Sequence, residues 1–426
     1  MSQSQVGQIL DHLFRRQSGQ MVAYLTRFFG TDHLDLAETV VQEALLKAVQ
    51  SWPISGIPEN PKAWIIRAAK NSAIDHFRKQ HDSLLEPEIF DKLADGLEDD
   101  DAKLIHTMTQ ELKNDDLKLL FICCHSSLGS ESRTALTLKT VCGFSVKEVA
   151  RAFLSKEETI AQRLVRAKKK IAEEKLKYEV PPPSELEARL DSVLEVLYLL
   201  FNEGYLATDG ESLIRKDLCD EAIYRTTVLA QHSVGQQPKV FALLALMHLQ
   251  ASRFQARTDS AGDLLLLEEQ DRSLWDQEHI GMGLKYLEMS AQGNDLTEFH
   301  LQAGIASCHA IAPSFEETDW QNILSYYDML FDRSPSPIVA LNRSVALGMV
   351  RGMAAGISEV LSIKESGALS SYYLLSATLA EFYRRDGNYG KALGFYHEAL
   401  SLVGTEPERR LIEKRIKTCK EKDTNK

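Results

Sequence analysis

Polar and basic residues recur with helical spacing between positions 159 and 170. Arginine and glutamine can each make two hydrogen bonds to one base, and lysines such as Lys168, Lys169 and Lys170 pair with phosphates. The spacing therefore predicts a helix face that reads duplex DNA; the alternative is a helical hairpin whose basic face is only solvated. The predicted face consists of Thr159, Gln162, Arg163, Arg166, Lys169 and Lys170.

Two short helices are expected to position that face. The segments 145–148 and 155–158 each have the serine-x-x-glutamate spacing of a capping box, which predicts two helix starts. Two capped helices joined by a short turn form a helix-turn-helix, whose second helix enters the major groove of DNA. The second helix also carries an apolar residue every three or four positions, which predicts a buried stripe. That stripe consists of Ile160, Leu164, Ala167 and Ile171.

A second set of polar groups lies between positions 34 and 79. Residues 34–50 predict an amphipathic helix, and residues 52–61 predict a loop because three of them are proline. Asn60 followed by Pro61 is the pattern that starts a helix, here over 62–79. Basic residues beside an aromatic loop suit single-stranded DNA, in which bases stack and phosphates need cations; the alternative is an ordinary surface helix. The set consists of Trp52, Asn60, Lys62, Arg67, Lys70 and Asn71.

Catalytic and metal-binding patterns are weak throughout the sequence. Cys123, Cys124 and His125 are consecutive, so on a helix they point about 100° apart, and no second ligand pair follows at metal spacing. The two cysteines are therefore expected to be buried structural residues. Neither a glycine-rich phosphate loop nor a nucleophile beside a base is recognisable, so we expect no enzyme activity, no metal and no cofactor.

Composition sets the broad class of protein. A length of 426 residues suggests two to four domains at about 100–200 residues each. Hydrophobic residues make up 44% and charged residues 26%, which is typical of a globular chain. Six unpatterned cysteines favour a reducing compartment, and we recognise neither a signal peptide nor an apolar run of about 18 residues. A cytoplasmic protein with no membrane partner is expected.

Charge is distributed unevenly along an acidic chain. The formal net charge is −12, which by itself argues against nucleic-acid binding. However, residues 113–178 hold 14 basic and 8 acidic side chains, a net charge of +6, whereas residues 86–112 carry −7. A single basic segment in an acidic protein is the asymmetry expected of a local DNA-binding domain.

Helical patterns dominate, and no sustained alternation predicts a strand, so the predicted fold class is all-α. The first helix is expected over 6–29. Pro181–Pro183 marks a boundary because three prolines cannot continue a helix. The linker is expected to be a solvated tether, and its alternative is a segment that lies in a basic channel of a partner. The predicted domains are a helical bundle over 1–85, an acidic linker over 86–112, a helix-turn-helix domain over 113–178 and a helical domain over 184–420.

The last hundred residues show a weak internal repeat. Ile323, Ile357 and Ala392 are spaced by 34 and 35 residues, and a tyrosine or leucine follows each of them four positions later. A period of 34 residues is that of tetratricopeptide repeats (TPR), in which small residues let paired helices approach closely. We therefore expect a TPR-like region, a fold that usually presents a concave binding surface.

Three segments together resemble the RNA polymerase sigma factors of the extracytoplasmic function (ECF) class, within the sigma-70 family. They read DLAETVVQEALLKAV, NPKAWIIRAAKNSAIDHFRK and FSVKEVARAFLSKEETIAQRLVRAKKKI, and the resemblance covers about residues 10–176. Such factors keep two promoter-reading domains, sigma-2 and sigma-4, joined by a variable linker. The resemblance implies a protein that binds core RNA polymerase, recognises promoter DNA and helps to open it, with sigma-2 over 1–85 and sigma-4 over 113–178.

The same resemblance implies roles for individual positions. The helix over 35–48 would dock on the clamp helices of the polymerase β′ subunit, and the sigma-4 domain on the β flap. The loop over 52–60 and the helix after it would capture flipped bases of the −10 element, and the face over 159–170 would meet the −35 element. Ala161 departs from the pattern, since many relatives carry a polar or basic residue there, so the −35 sequence stays open. The matching polymerase-binding positions are Asp35, Leu36, Gln42 and Glu43.

The rest of the chain resembles the ECF subgroup that has a long TPR-like C-terminal extension. The resembling segments are 198–222, 334–348 and the last TPR-like unit. This resemblance implies that the extension governs activity and that no dedicated anti-sigma factor is needed. It also implies an effector protein that binds the extension. A YCII-related protein is the candidate, because neighbouring genes often encode such proteins.

Two other functions fit the same residues. A stand-alone helix-turn-helix transcription regulator would bind an operator and use a TPR domain as its sensor, but it would not need the unit over 35–79. A TPR scaffold with degenerate N-terminal domains would lack salt-dependent retention on a polyanion.

Overall fold

The computed structural model describes residues 18–80, 114–153, 155–205, 215–260 and 262–424. Within these ranges the α-helices carry the fold, no strand is present, and the one β-bridge pairs Thr258 with Leu264. The predicted all-α fold class is therefore confirmed. The acidic linker predicted over 86–112 and the first part of the helix predicted over 6–29 lie outside the described residues.

We number the α-helices in chain order. The first seven are Ser18–Phe29 (α1), Leu34–Ser55 (α2), Pro61–Gln80 (α3), 114–123 (α4), Ser130–Leu136 (α5), Val146–Ala152 (α6) and Glu157–Glu173 (α7). The next five are Pro183–Tyr205 (α8), Lys216–Gln231 (α9), Pro238–Ala251 (α10), Gln277–Ser290 (α11) and Glu298–Ile311 (α12). The last six are Trp320–Arg333 (α13), Pro337–Arg351 (α14), Met353–Glu365 (α15), Tyr373–Arg385 (α16), Tyr389–Leu402 (α17) and Glu406–Thr424 (α18).

The chain divides into two compact units, and the division differs from the boundary predicted at 184. The first unit contains the described residues up to 205 together with 215–235, and the second begins at 236. Helices α8 and α9 therefore belong to the first unit. The physical reason is Arg225 on α9, whose side chain is 2% exposed and forms ion pairs with Asp116 of α4 and with Glu221. A charge buried this deeply is tolerated only beside its partners, so α9 has to stay with α4.

Helices α1, α2 and α3 form a bundle, and residues such as Leu25, Val41 and Ile65 lie in its interior. Helix α2 continues to Ser55 and takes in residues 52 and 53, which the sequence pattern assigns to a loop. The extra turn is held because Trp52 is buried against Trp64. The helix ends where Gly56 adopts a φ of 86°, a left-handed conformation that favours glycine. Helix α3 begins and ends within one residue of its prediction.

The second unit is built from two groups of helices. Helices α10, α11 and α12 pack together, and the described residues of the connection over 252–276 between α10 and α11 contain three 3-10 turns and the β-bridge. From α13 to α18 each helix packs against the next one in the chain. Ile323 and Ala392 are buried, as the repeat spacing requires, and the TPR-like assignment itself stays a prediction. None of the helices in the described ranges is both long and apolar enough to cross a bilayer.

Candidate nucleic-acid and polymerase interface

Helices α6 and α7 form the expected helix-turn-helix pair. At the start of α6, the Ser145 N–H donates to Glu148 Oε2 at 2.8 Å, and the Ser145 hydroxyl accepts from the Glu148 N–H at 3.2 Å, so the first capping box is confirmed. The second capping box is not formed, because Lys156 rather than Ser155 is the N-cap of α7 and the helix therefore starts one residue too late. The predicted buried stripe is confirmed for Ile160, Leu164, Ala167 and Ile171.

The polar face of α7 is largely open to solvent. Arg166 donates from Nε to the Gln162 carbonyl oxygen of its own helix at 3.3 Å, which leaves the guanidinium on the surface. Arg163 differs from its neighbours, because its guanidinium is 2.5 Å from Glu131 and lies 5.2 Å from the Phe153 ring centroid. Arg163 is therefore half-buried in this conformation. The exposed members of the predicted face are Thr159, Gln162, Arg166, Lys169 and Lys170.

The residues around α3 differ in how far they reach solvent. Arg67 and Asn71 are exposed on the helix. Asn60 accepts the Ala63 N–H at 3.2 Å and so caps α3. Lys62 donates to Gln20 Oε1 at 2.8 Å, and burial lowers the pKa of this lysine.

Trp52 and Lys70 lie in the interior, which corrects the role implied for them. Trp52 is 2% exposed and packs edge to face on Trp64, with 5.5 Å between the ring centroids. Lys70 is also 2% exposed, and its Nζ lies 5.4 Å and 5.1 Å from the ring centroids of Tyr24 and Phe28. Burial, and secondarily the charge of Arg27, lowers the pKa of Lys70. Side chains covered in this way cannot stack on a base or pair with a phosphate in this conformation.

The implied polymerase-binding positions all lie on α2. Gln42 is exposed and Leu36 is half-buried. Glu43 accepts hydrogen bonds from Ser72 and from His76, the latter at 3.0 Å, and these bonds lower the pKa of the Glu43 carboxyl. Asp35 is exposed, and its carboxylate already pairs with Lys168 of α7.

An ionic contact joins α2 to α7, and we call it the α2–α7 contact. Lys168 Nζ lies 2.6 Å from Asp35 Oδ1 and 2.7 Å from Glu38 Oε2. Glu38 also accepts from the Thr140 hydroxyl at 2.5 Å. Burial would lower the pKa of Lys168, but the two carboxylates outweigh it and raise that pKa. The phosphate contact predicted for Lys168 is therefore replaced by a contact within the protein.

Sequence reasoning did not find this contact. Glu38 follows Asp35 by three residues, so both carboxylates lie on one face of α2, which is the only local signal. Lys168 stands in a run of three lysines, and nothing in their order shows that one of them turns inward. The pairing spans about 130 residues of chain, so only the tertiary structure reveals it.

Further contacts hold the same regions together. The Thr31 hydroxyl donates to the Leu176 carbonyl at 2.7 Å, and the Tyr178 hydroxyl donates to the Ala23 carbonyl at 2.7 Å. Gly19 lies so close to the π-helical turn 137–141 that a Cβ would be 1.9 Å from the Val141 carbonyl oxygen. No larger residue fits at that position without moving the backbone.

The cysteine pair behaves as predicted. Cys123 and Cys124 are fully buried, and burial raises the pKa of both thiols, to about 12 for Cys124. Because the thiolate is the form that binds metals and reacts, these side chains contribute packing. Within the described ranges, no group of three or more metal-ligating side chains comes together.

Comparisons with known proteins match two separate parts of the first unit to two families. Residues 13–82 match the family described as sigma-70 region 2, and residues 118–171 match the family described as sigma-70, region 4. Residues 189–291 match a family of unknown function, DUF6596.

Two relatives extend the comparison. An uncharacterized protein of Rhizobium meliloti (strain 1021) is 36% identical over 391 residues, which cover 91% of this chain and 90% of that protein. The probable ECF RNA polymerase sigma factor SigI of Mycobacterium tuberculosis (strain H37Rv) is 24% identical over 227 residues, which cover 50% of this chain and 77% of that protein. The two matched regions define the class: the chain contains regions that match sigma-70 region 2 and sigma-70 region 4. Within that class, the chain belongs to the same family as the Rhizobium protein.

Proposed function

We propose that this protein is a sigma factor of the ECF class, which binds core RNA polymerase, directs it to specific promoters and helps to open the DNA. The observation that carries the proposal is the presence of sigma-70 regions 2 and 4, in that order, in one compact unit whose helix α7 exposes an amide and basic face. The likeness to SigI over half of the chain supports the ECF class. RNA synthesis itself belongs to the polymerase.

We assign the contacts with polymerase and promoter to exposed and half-buried side chains of the two regions. Helix α2 is proposed to dock on the β′ clamp helices through Asp35, Leu36, Gln42 and Glu43, and region 4 on the β flap. Exposed cations and amides at physiological pH suit phosphates and base edges. The −10 contacts are proposed for Asn60, Lys62, Arg67 and Asn71, and the −35 contacts for Thr159, Gln162, Arg163, Arg166, Lys169 and Lys170.

The α2–α7 contact adds a condition to this proposal. Asp35 is proposed to bind polymerase, yet here it pairs with Lys168 on the helix that is proposed to bind DNA. Asp35 becomes free for polymerase only when this ion pair breaks. We propose that the free protein rests with the contact closed and that polymerase binding opens it.

The helices that follow the two sigma regions are proposed to regulate them. The residues from 236 onward form a separate compact unit, which can bind a partner of its own. An effector protein that binds this unit, with a YCII-related protein as the candidate, completes the proposal. A cytoplasmic location follows from the proposed function.

Co-elution of the full-length protein with purified bacterial core RNA polymerase on gel filtration tests the proposal. We expect a stable complex that starts transcripts from specific genomic fragments, which core polymerase alone does not do. If the protein binds DNA but never co-elutes with polymerase, a stand-alone helix-turn-helix regulator replaces the sigma factor. If the protein binds neither polymerase nor DNA, a TPR scaffold replaces the sigma factor.

A further inference from the structure

The long connection between α10 and α11 crosses helices that lie far away in the sequence. We call its residues 263–269, which read DLLLLEE, the strap. Connections of this length without a regular element of their own are uncommon in compact domains and usually serve a function. The strap contacts helices α16 and α18 of the same compact unit, more than 110 residues further along the chain.

Three carboxylates fix the strap to arginines. Asp263 lies 2.6 Å from Arg410 on α18. Glu268 pairs with Arg384, at 3.5 Å, and with Arg385, both on α16. Glu269 lies 3.0 Å from Arg415 on α18.

The strap does not fill the apolar groove that it crosses. A cavity of about 270 Å³ remains beside Leu266 and Leu267, which are both only half-buried. The cavity opens to solvent, since Leu374 in its lining is exposed, so its apolar walls can receive another side chain. The helices line this cavity chiefly with Trp320, Met349, Leu374, Phe382 and Ile412.

Charge and hydrogen bonding indicate which chemical groups the groove binds. Without the strap, Arg384, Arg385, Arg410 and Arg415 would lose three carboxylates, and the carboxylates that remain beside them are Glu381, which pairs with Arg384 and Arg385, and Glu408, which accepts from Tyr373. The Nε of Arg415, which also lines the cavity, is buried and has no hydrogen-bond partner within the described ranges. The groove therefore attracts acidic groups more strongly than the strap alone satisfies.

We infer that the groove between α16 and α18 is a docking site for a partner polypeptide segment with a bulky apolar side chain followed by two acidic residues. The strap itself occupies this docking site and would compete with the partner segment. Its acidic residues match those of the partner segment, but its leucines leave the cavity unfilled. The partner's large side chain fills the cavity, and its carboxylates take over Arg385 and Arg415. This inference does not depend on polymerase binding, so its test is independent of the proposed function.

The probe is a fluorescein-labelled peptide of residues 262–270 that carries Leu266→Phe. Its affinity is measured by anisotropy for the full-length wild type and for the variant Glu268→Ala/Glu269→Ala. Loss of the partly exposed ion pairs that Glu268 and Glu269 form with Arg384, Arg385 and Arg415 should let the strap leave more easily, so we expect about tenfold tighter peptide binding to the variant. Glu157→Ala/Glu158→Ala removes two exposed adjacent carboxylates of the first compact unit and should leave peptide affinity at the wild-type value.

Three further measurements decide the inference. Adding Arg415→Ala to the strap variant should abolish the gain, and a peptide with Leu266→Ala should bind less tightly than the Leu266→Phe peptide. In the wild type, saturating peptide should accelerate amide hydrogen exchange over 263–269, a readout that needs no variant to fold. Equal binding of a scrambled peptide, or peptide binding without faster exchange in the strap, would overturn the inference. Equal affinity of the two Leu266 peptides would show that no partner side chain enters the cavity, and would overturn it as well.

Discussion

The basic side chains of α7 differ in the groups that they contact. Lys168 is held by two carboxylates and Arg163 by Glu131, whereas Arg166 reaches solvent from a helix whose opposite side is buried. An exposed guanidinium on a rigid helix can make a bidentate contact without first breaking an ion pair. Arg166 is therefore the side chain of this face that is most ready to bind DNA.

Arg166→Ala should weaken promoter binding by the polymerase complex about tenfold, because one Arg contact to a base or phosphate contributes about 1–3 kcal/mol. The measurement is filter binding over a range of salt concentrations, with a genomic fragment that the wild-type complex selects. Arg351→Ala, an exposed arginine in the other compact unit, is the matched control. Unchanged promoter affinity would exclude Arg166 from the interface.

His248 links the stability of the second unit to pH. Burial, together with His279 at 3.0 Å, lowers the pKa of His248 to about 4. Between pH 4 and its ordinary value near 6.5 the unfolded chain binds the proton that the folded chain excludes. The stability contributed by neutral His248 is thus present above about pH 6.5 and is lost as the pH falls through this window.

His248→Gln should flatten the fall in the free energy of unfolding of the second unit between pH 6.5 and pH 4. Each pKa unit of the shift corresponds to about 1.4 kcal/mol. Urea unfolding at several pH values, followed by circular dichroism, measures the slope. His397→Gln replaces an exposed histidine and should leave the slope as in the wild type. Equal slopes for the two variants would contradict the assignment of this pH dependence to His248.

At the scale of elements, α2 and α7 restrain each other. The Glu38 and Lys168 side chains are 10% and 11% exposed, so their ion pair is screened less than a surface pair. The same two helices carry the proposed polymerase and −35 surfaces. A mutation on one helix should therefore alter binding at the other.

Lys168→Ala should strengthen binding to core polymerase, because it frees Asp35 without removing any proposed polymerase contact. We expect a several-fold decrease in Kd, measured by biolayer interferometry with immobilised core polymerase. Lys177→Ala removes an exposed lysine nearby and is the control. The variant also leaves Glu38 buried without its cation, so a thermal melt should accompany the measurement. Weaker polymerase binding by a folded Lys168→Ala variant would rule out the closed resting state.

At the scale of the whole molecule, two compact units share one chain, and the first includes two helices beyond the sigma regions. The Arg225 guanidinium binds Asp116 and Glu221 and donates to the Val141 carbonyl at 2.7 Å. Burial raises the pKa of Asp116, while Arg225 opposes that rise. Helix α9 thus supplies the positive charge that the buried carboxylate of Asp116 requires.

Arg225→Met should destabilise the first unit by about 3–5 kcal/mol, because it leaves a buried carboxylate without its partner. Calorimetry of the full chain should show a lower transition temperature for the first unit and an unchanged transition for the second. Arg78→Ala, an exposed arginine of the same unit, should leave both transitions in place. Equal stability of the Arg225→Met variant would mean that α9 is dispensable.

Truncation provides a second test of where the first unit ends. A chain that ends at residue 235 keeps Arg225 and should unfold cooperatively, whereas a chain that ends at 182 lacks α8 and α9 and should not. Urea unfolding of both truncated proteins measures the difference. Cooperative unfolding of the shorter chain would place the boundary at 184 after all.

Local patterns were sufficient for much of the fold and for the two helices of the helix-turn-helix pair, α6 and α7. The apolar spacing over 160–171 predicted the buried stripe, and Ser145 with Glu148 predicted the start of α6. The loop predicted from Trp52 onward was wrong in its first residues, because burial of Trp52 extends α2. The same burial removes Trp52 from the surface. Spacing along one helix records which side is apolar, and that information is local.

The sequence by itself determined the helical class, the order of the two sigma regions and the exposed face of α7. Only the tertiary structure decided that Lys168 turns to Asp35 and Glu38, that Arg225 ties α9 to the first unit, and that the strap lies across α16 and α18. These contacts join residues that are 109 to 147 positions apart. A charge pattern shows that a partner is needed but not which residue provides it, because that choice depends on how the helices pack.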